Sequence, residues 1–145
     1  FLEKQFEEDL MVQIDITYEG GLQCVAFHGP SGQKLQTDAP VDNGGKGAFF
    51  SPTDLVATGL GVCMATIMGK VAEQDRIDLT GMKISVQKEM TKEGKRRIGK
   101  LTARLQMPAG LDAKQRIKLE RAAHTCPVKE SLRPEVELDI RFVYP

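Results

Sequence analysis

Between Ser51 and Ala72 the chain reads SPTDLVATGLGVCMATIMGKVA, and no other stretch restricts the fold as tightly. From Leu55 to Met68 it carries no charge, and its only hydroxyls are Thr58 and Thr66. A surface helix shows a polar face at 3.6-residue spacing, so a run that is apolar or small nearly all round predicts a helix covered on every side. The uncharged run is shorter than the roughly 17–25 residues that cross a bilayer, which favours a core helix. Ser51 suits the N-cap, Pro52 the first helical position, and Asp54 the place three residues after the cap, as in a capping box. Gly59, Gly61 and Gly69 each cost about 1 kcal/mol relative to Ala inside a helix, which predicts a second backbone passing close by. Cys63 stands in the middle of this run.

The flanking sequence supplies the rest of an α+β domain. Phe1–Leu10 has apolar residues at 2, 6 and 10 and predicts a short helix or a loose tail. Met11–Tyr18 alternates strictly, with Val12, Ile14, Ile16 and Tyr18 on one face, which predicts a half-buried strand. Glu19-Gly20-Gly21 predicts a hairpin turn, Leu22–His28 the returning strand, and Gln33–Thr37 a third. Asp38–Phe50 has no periodicity and is long for a loop inside a domain, a property that often accompanies function. Phe49 and Phe50 at its end either roof the neighbourhood of Cys63 or pack as core.

Beyond the helix, the row Met82, Ile84, Val86, Met90 predicts a fourth strand and Leu101, Ala103, Leu105, Met107 a fifth. Asp112 with Gln115 forms a capping-box pattern opening a helix to about Thr125. A short helical turn, Pro127–Leu132, follows, and Glu135–Tyr144 closes as a strand. The order βββ–α–ββ–αα–β, with short turns and one polar face per strand, predicts a single α+β domain over residues 1–145 with largely antiparallel sheets.

Charge excludes several roles. Twenty basic and twenty acidic residues give zero formal net charge over 145 residues, so no electrostatic footprint for nucleic acid or an anionic membrane is expected. The basic cluster Lys92, Lys95, Arg96, Arg97 reads as a solvated hairpin tip. No signal or transit segment is read. Three cysteines make no disulfide scaffold, so a reducing, cytoplasmic setting is expected. His124 and Cys126 form an H-x-C pair, but with only His28 besides and no C-x-x-C, no metal is expected. No phosphate-binding loop or dinucleotide fingerprint occurs, and no cofactor is expected.

Two cysteines stand out by context. Cys126, in His124-Thr125-Cys126-Pro127, falls at a helix N-cap, where backbone N–H groups favour a thiolate. Cys63 lies about three turns into its helix, beyond help from that helix's dipole; if it reacts, an outside donor or cation must stabilise it. Taken alone, Cys63 and Cys24 both read as packing residues.

SPTDLVATGLGVC, preceded by TDAPVDNGGKG and followed by HTCPVKESL, resembles the OsmC/Ohr family, in its OsmC-like branch, along nearly the whole chain. The resemblance implies an intertwined homodimer, with antiparallel sheets around a buried central Cys-bearing helix and active sites at the interface. It also implies a thiol peroxidase of oxidative-stress defence, acting on organic hydroperoxides. Cys63 would be the attacking residue and Cys126 the resolving one, with an external dithiol as reductant. Peroxide-reducing members carry an Arg soon after the first hairpin and a Glu ten positions before the reactive Cys. Here those places hold Leu22 and Thr53, with the acid next door at Asp54. Asp54, Thr53 and His124 are the candidate supporting residues. Lys34, Lys46, His28 or a basic residue of a second subunit are candidates for the missing cation. The alternative is a non-peroxidase dimer that binds a small apolar or thiol-reactive ligand, its cysteines structural or redox-sensing.

Overall fold

Alternating apolar residues near the N-terminus become a three-stranded antiparallel sheet in the computed structural model, which describes residues 11–145. The helix or tail expected at Phe1–Leu10 lies outside the described residues. β1 (Ile14–Gly20), β2 (Gln23–His28) and β3 (Lys34–Asp38) pair in that order, with Ile16 opposite Ala26 and Cys24 opposite Thr37. The turn between β1 and β2 holds Gly20, Gly21 and Leu22 all at positive φ, and at Leu22 this is a conformation that branched side chains rarely adopt. Ile14, Ile16 and Tyr18 form one row as expected, yet they are 53%, 67% and 63% exposed, so β1 is not half-buried within the single chain. Alternation fixes which residues share a face; it does not say what covers that face.

The loop after β3 winds round one carboxylate. Asp38 is buried and its Oδ2 accepts the Ala48 N–H at 3.0 Å. A single 3-10 turn, Val41–Asn43, and two bonds to the Pro40 carbonyl, from Asn43 N–H and Gly45 N–H, fold the loop back on itself. A Cβ on Gly45 would collide with the Ala39 carbonyl, so only glycine fits. The Ala48 N–H, helped by the Gln23 side chain and the Ala39 and Lys46 N–H groups, holds the Asp38 carboxyl below its ordinary range against the opposing effect of burial. Asp38 therefore stabilises the fold at pH above the ordinary carboxylate range, and that contribution disappears as pH falls through the lowered value. Asp38→Asn is expected to lower stability at pH 7 and to flatten its fall below pH of about 4, measured by urea melts across pH. An acid limb with unchanged slope would refute this. Phe49 and Phe50 are 41% and 51% exposed, so neither is core within the chain.

By contact density the chain divides into two compact units, residues 1–53 and 54–145. The second is built on α1 (Pro52–Gln74), whose start at Pro52 agrees with the capping signals. At 23 residues α1 is long and apolar enough to cross a bilayer, and it exceeds the uncharged run because Asp54, Lys70 and Glu73 are included. Its burial argues instead for a core helix. Ala57, Leu60, Gly61, Met64, Met68 and Ala72 recur every three or four residues and form one buried stripe. The other side is open: Val56, Thr58, Val62 and Thr66 are exposed, so within the single chain α1 is not covered all round. Thr58 and Thr66 donate their hydroxyls to the carbonyls of Asp54 and Val62, one turn back.

The buried stripe packs on the second sheet, formed by β4 (Lys83–Met90), β5 (Ile98–Gln106) and β6 (Glu137–Val143). Leu60, Met64, Met68, Leu101, Ala103 and Leu105 have no exposed surface. Each of the larger of these contributes about 1.5–3 kcal/mol by leaving water. β4 and β5 are an antiparallel hairpin, but β6 runs parallel to β5. Among the described residues, three of the four strand pairings are thus antiparallel. The exception follows from its connection, because the stretch between β5 and β6 contains α2 (Ala113–His124) and α3 (Pro127–Ser131), a crossover that returns the strand in the same direction. The α2 capping box is present as expected: Gln115 N–H donates to Asp112 Oδ1 at 2.8 Å and Asp112 N–H to Gln115 Oε1 at 3.0 Å. At the end of the chain the Tyr144 hydroxyl donates to Glu120 at 2.5 Å and the Arg116 guanidinium lies 4.2 Å above its ring, fastening α2 beside β6.

Candidate active site

Pro127 sets the position of Cys126. Proline fits the first position of α3, where its missing N–H is not needed, and so makes the preceding residue the N-cap. Cys126 fills that place with a sulfur: the Lys129 N–H donates to its Sγ at 3.5 Å. Cys126 has no exposed surface. Cys63 approaches it from α1, near enough to act on the Cys126 thiol, and Cys63 itself is half-buried against the core. Both are free thiols. Burial raises the Cys126 thiol above its ordinary range, and the neighbouring Cys63 thiol adds to this, while the Lys129 and Val128 N–H groups pull the other way.

Beside the pair lies an open groove of about 560 Å³, lined by Leu55, Val56 and Gly59 of α1 and by Pro127, Val128, Ser131 and Leu132. Its one polar lining side chain, Ser131, donates its hydroxyl to the Pro127 carbonyl at 2.8 Å, so the wall is chemically apolar. Gly59 precedes Cys63 by one helical turn and Pro127 follows Cys126 directly, so the groove adjoins near neighbours of both cysteines while neither cysteine lines it.

The supporting candidates have partners of their own. Asp54 accepts the Lys88 ammonium at 2.7 Å, an ion pair between the first turn of α1 and β4. Nine residues along an α-helix is about 13.5 Å of rise and half a revolution, so Asp54 points away from the Cys63 side. Thr53 bonds Ser51, hydroxyl to hydroxyl, at 3.3 Å. The His124 ring packs edge-on against Phe142, with centroids 6.0 Å apart. His28 bonds Ser31 at 2.6 Å in the β2–β3 turn, and Lys34 and Lys46 are exposed; all three belong to the first unit.

Lys88 is a partner that its residue type does not announce, although the sequence holds a signal. It occupies the inward register of β4, between Val86 and Met90, and a charge in an otherwise apolar row implies a buried partner. The Lys88 side chain is 16% exposed and Asp54 43%. Asp54→Ala therefore takes a carboxylate from a nearly buried ammonium and is expected to cost about 1–2 kcal/mol. Lys88→Met keeps the apolar stem and lets Asp54 hydrate, so less than about 1 kcal/mol is expected. Urea midpoints that fall equally for the two variants would contradict this asymmetry.

Residues 44–141 match the family model described as OsmC-like protein. A protein of Psychrobacter arcticus 273-4, proposed to be an osmotic stress induced and detoxification response protein, is 38% identical. Its structure superposes with a TM-score of 0.86 over 92% of this chain and 96% of that one. An organic hydroperoxide resistance protein OsmC from Legionella pneumophila is 21% identical, with a TM-score of 0.72 over 91% and 96%. An OsmC-like protein of unknown function from Vibrio cholerae is 15% identical, with a TM-score of 0.79 over 92% and 99%. At those last two identities the likeness is one of fold. No curated protein matches the chain.

Proposed function

Because the chain belongs to the OsmC-like protein family, we propose that it is a thiol peroxidase reducing organic hydroperoxides, with Cys63 as the attacking residue and Cys126 as the resolving one. One observation carries the reading: a half-buried thiol meets a fully buried thiol beside an apolar groove. Ionised Cys63 attacks the terminal peroxide oxygen; the O–O bond breaks, the alkoxide leaves and takes a proton as the alcohol, and Cys63 becomes a sulfenic acid. Cys126 sulfur then bonds to Cys63 sulfur, its proton joining the departing hydroxide as water. An external dithiol reduces the disulfide. The groove accommodates the organic part of the substrate by excluding water from it.

The same reading makes the protein a homodimer. The exposed row of β1 and the exposed Val56 and Val62 of α1 are apolar surfaces that a second copy would cover. A cytoplasmic, reducing compartment would supply the dithiol. The competing reading, a dimer that binds a small apolar or thiol-reactive ligand without turnover, is favoured by Leu22 and Thr53 standing where an activating pair is expected and by Asp54 facing Lys88.

The two readings separate when reduced protein meets a slight excess of cumene hydroperoxide and its disulfides are mapped by mass spectrometry. A Cys63–Cys126 link formed within seconds is expected. Free thiols persisting for minutes would exclude the peroxidase, and a monomer in sedimentation at micromolar concentration would exclude the dimer.

A further inference from the structure

The two sulfurs differ in what can reach them. Cys126 has no exposed surface and belongs to the core cluster with Leu119, Ala123 and Met64, whereas Cys63 is half-buried and packs at the edge of that cluster. Thiol–disulfide exchange is an in-line displacement, in which the incoming sulfur approaches opposite the leaving one. An attack on Cys126 would have to come from the side away from Cys63, through the core. On the far side of the bond, Cys126 already has a donor for the charge it would carry, the Lys129 N–H.

We propose, on the reading given above, that the external reductant attacks Cys63 sulfur and that Cys126 is the leaving sulfur. A thiolate of the reductant forms a bond to Cys63 Sγ; the Cys63–Cys126 bond breaks and its electron pair goes to Cys126 Sγ, which accepts the Lys129 N–H. A second thiol of the reductant then attacks the mixed disulfide, releasing Cys63 as thiolate and leaving the reductant oxidised. Two effects compete over direction. Burial makes Cys126 less acidic than an ordinary thiol and so intrinsically a poor leaving group, but access governs which sulfur can be attacked at all. Burial also helps the later step: it favours the protonated form of expelled Cys126 and so slows its re-attack on the mixed disulfide before the second thiol arrives.

The test forms the disulfide with diamide, without any peroxide, so that direction of reduction is scored apart from peroxidase activity. The oxidised protein is treated briefly with mercaptoethanol, quenched in acid, blocked with N-ethylmaleimide and mapped by peptide mass spectrometry. The mercaptoethanol adduct is expected on Cys63 and the maleimide on Cys126, in a ratio above about tenfold. An adduct on Cys126, or on both equally, overturns the proposal. In a second arm, Cys126→Ser protein is expected to react with dithiodipyridine at least about ten times faster than Cys63→Ser protein, with Cys24 a common background. Equal rates would overturn it too. Failure of diamide to link Cys63 and Cys126 would instead remove the cysteine-pair reading on which this one stands.

Discussion

With Cys63 replaced by Ser, cumene hydroperoxide consumption is expected to fall to the rate without protein, a loss of at least about a thousandfold, because a serine hydroxyl without a base is a very weak nucleophile. Cys126→Ser should behave differently. Its Cys63 still meets the peroxide and yields one equivalent of alcohol, then stops as a sulfenic acid that excess peroxide drives to the sulfinic form. Steady-state assays with a dithiol reductant, and intact mass after a single addition of peroxide, distinguish the two outcomes. Cys24→Ser is expected to change neither, since Cys24 lies in β2, between Tyr18 of β1 and Thr37 of β3. Residual turnover in Cys63→Ser would move the attacking role elsewhere.

Gly61→Leu is expected to destabilise the subunit itself. A Cβ at this position would stand 3.0 Å from Val86 Cγ2 and 3.5 Å from Ile84 Cγ2. Both neighbours are β-branched and stiff at χ1, so they yield little. The remaining carbons of leucine then press on a sheet whose β5 row, Leu101, Ala103 and Leu105, is fully buried. Overpacking of this kind costs about 1–3 kcal/mol, against less than about 1 kcal/mol gained by removing a helical glycine. Gly59→Ala gives the contrast: its Cβ would meet the Val128 methyls at 3.9 Å, an ordinary contact, so stability should hold or rise by up to about 1 kcal/mol while the groove becomes shallower. Urea unfolding followed by circular dichroism checks both. An unchanged midpoint for Gly61→Leu would show that β4 can give way.

That contrast also marks where sequence stops being informative. Three glycines in one helix predict close approach, but not by what: Gly61 meets valine and isoleucine methyls of its own sheet, and Gly69 has nothing within 4 Å. Local chemistry was legible. The reciprocal bonds of Asp112 and Gln115 and the placement of Cys126 by Pro127 follow from residues a few positions apart, and both are present. Strand positions were legible for the same reason, since period two is a local property. Strand direction was not, because alternation reads the same both ways, and only the crossover after β5 makes β6 parallel. The proximity of Cys63 and Cys126 came from family resemblance, as nothing in either local context points to the other. Lys88 is hard to read from sequence because a lysine is ordinarily solvated, and here its inward register matters more than its type.

Because β6 returns parallel to β5, the second sheet cannot be completed by a hairpin. The chain must first close the whole stretch between Gln106 and Glu137, and the entropy of that closure is lost before the strand contacts compensate it. Cys126 rides on the stretch being closed. Cys63 lies 63 residues earlier in the chain, so the two sulfurs come together through tertiary closure and not through any local contact. A disulfide between the two sulfurs, as proposed above, would therefore also report that this closure has taken place.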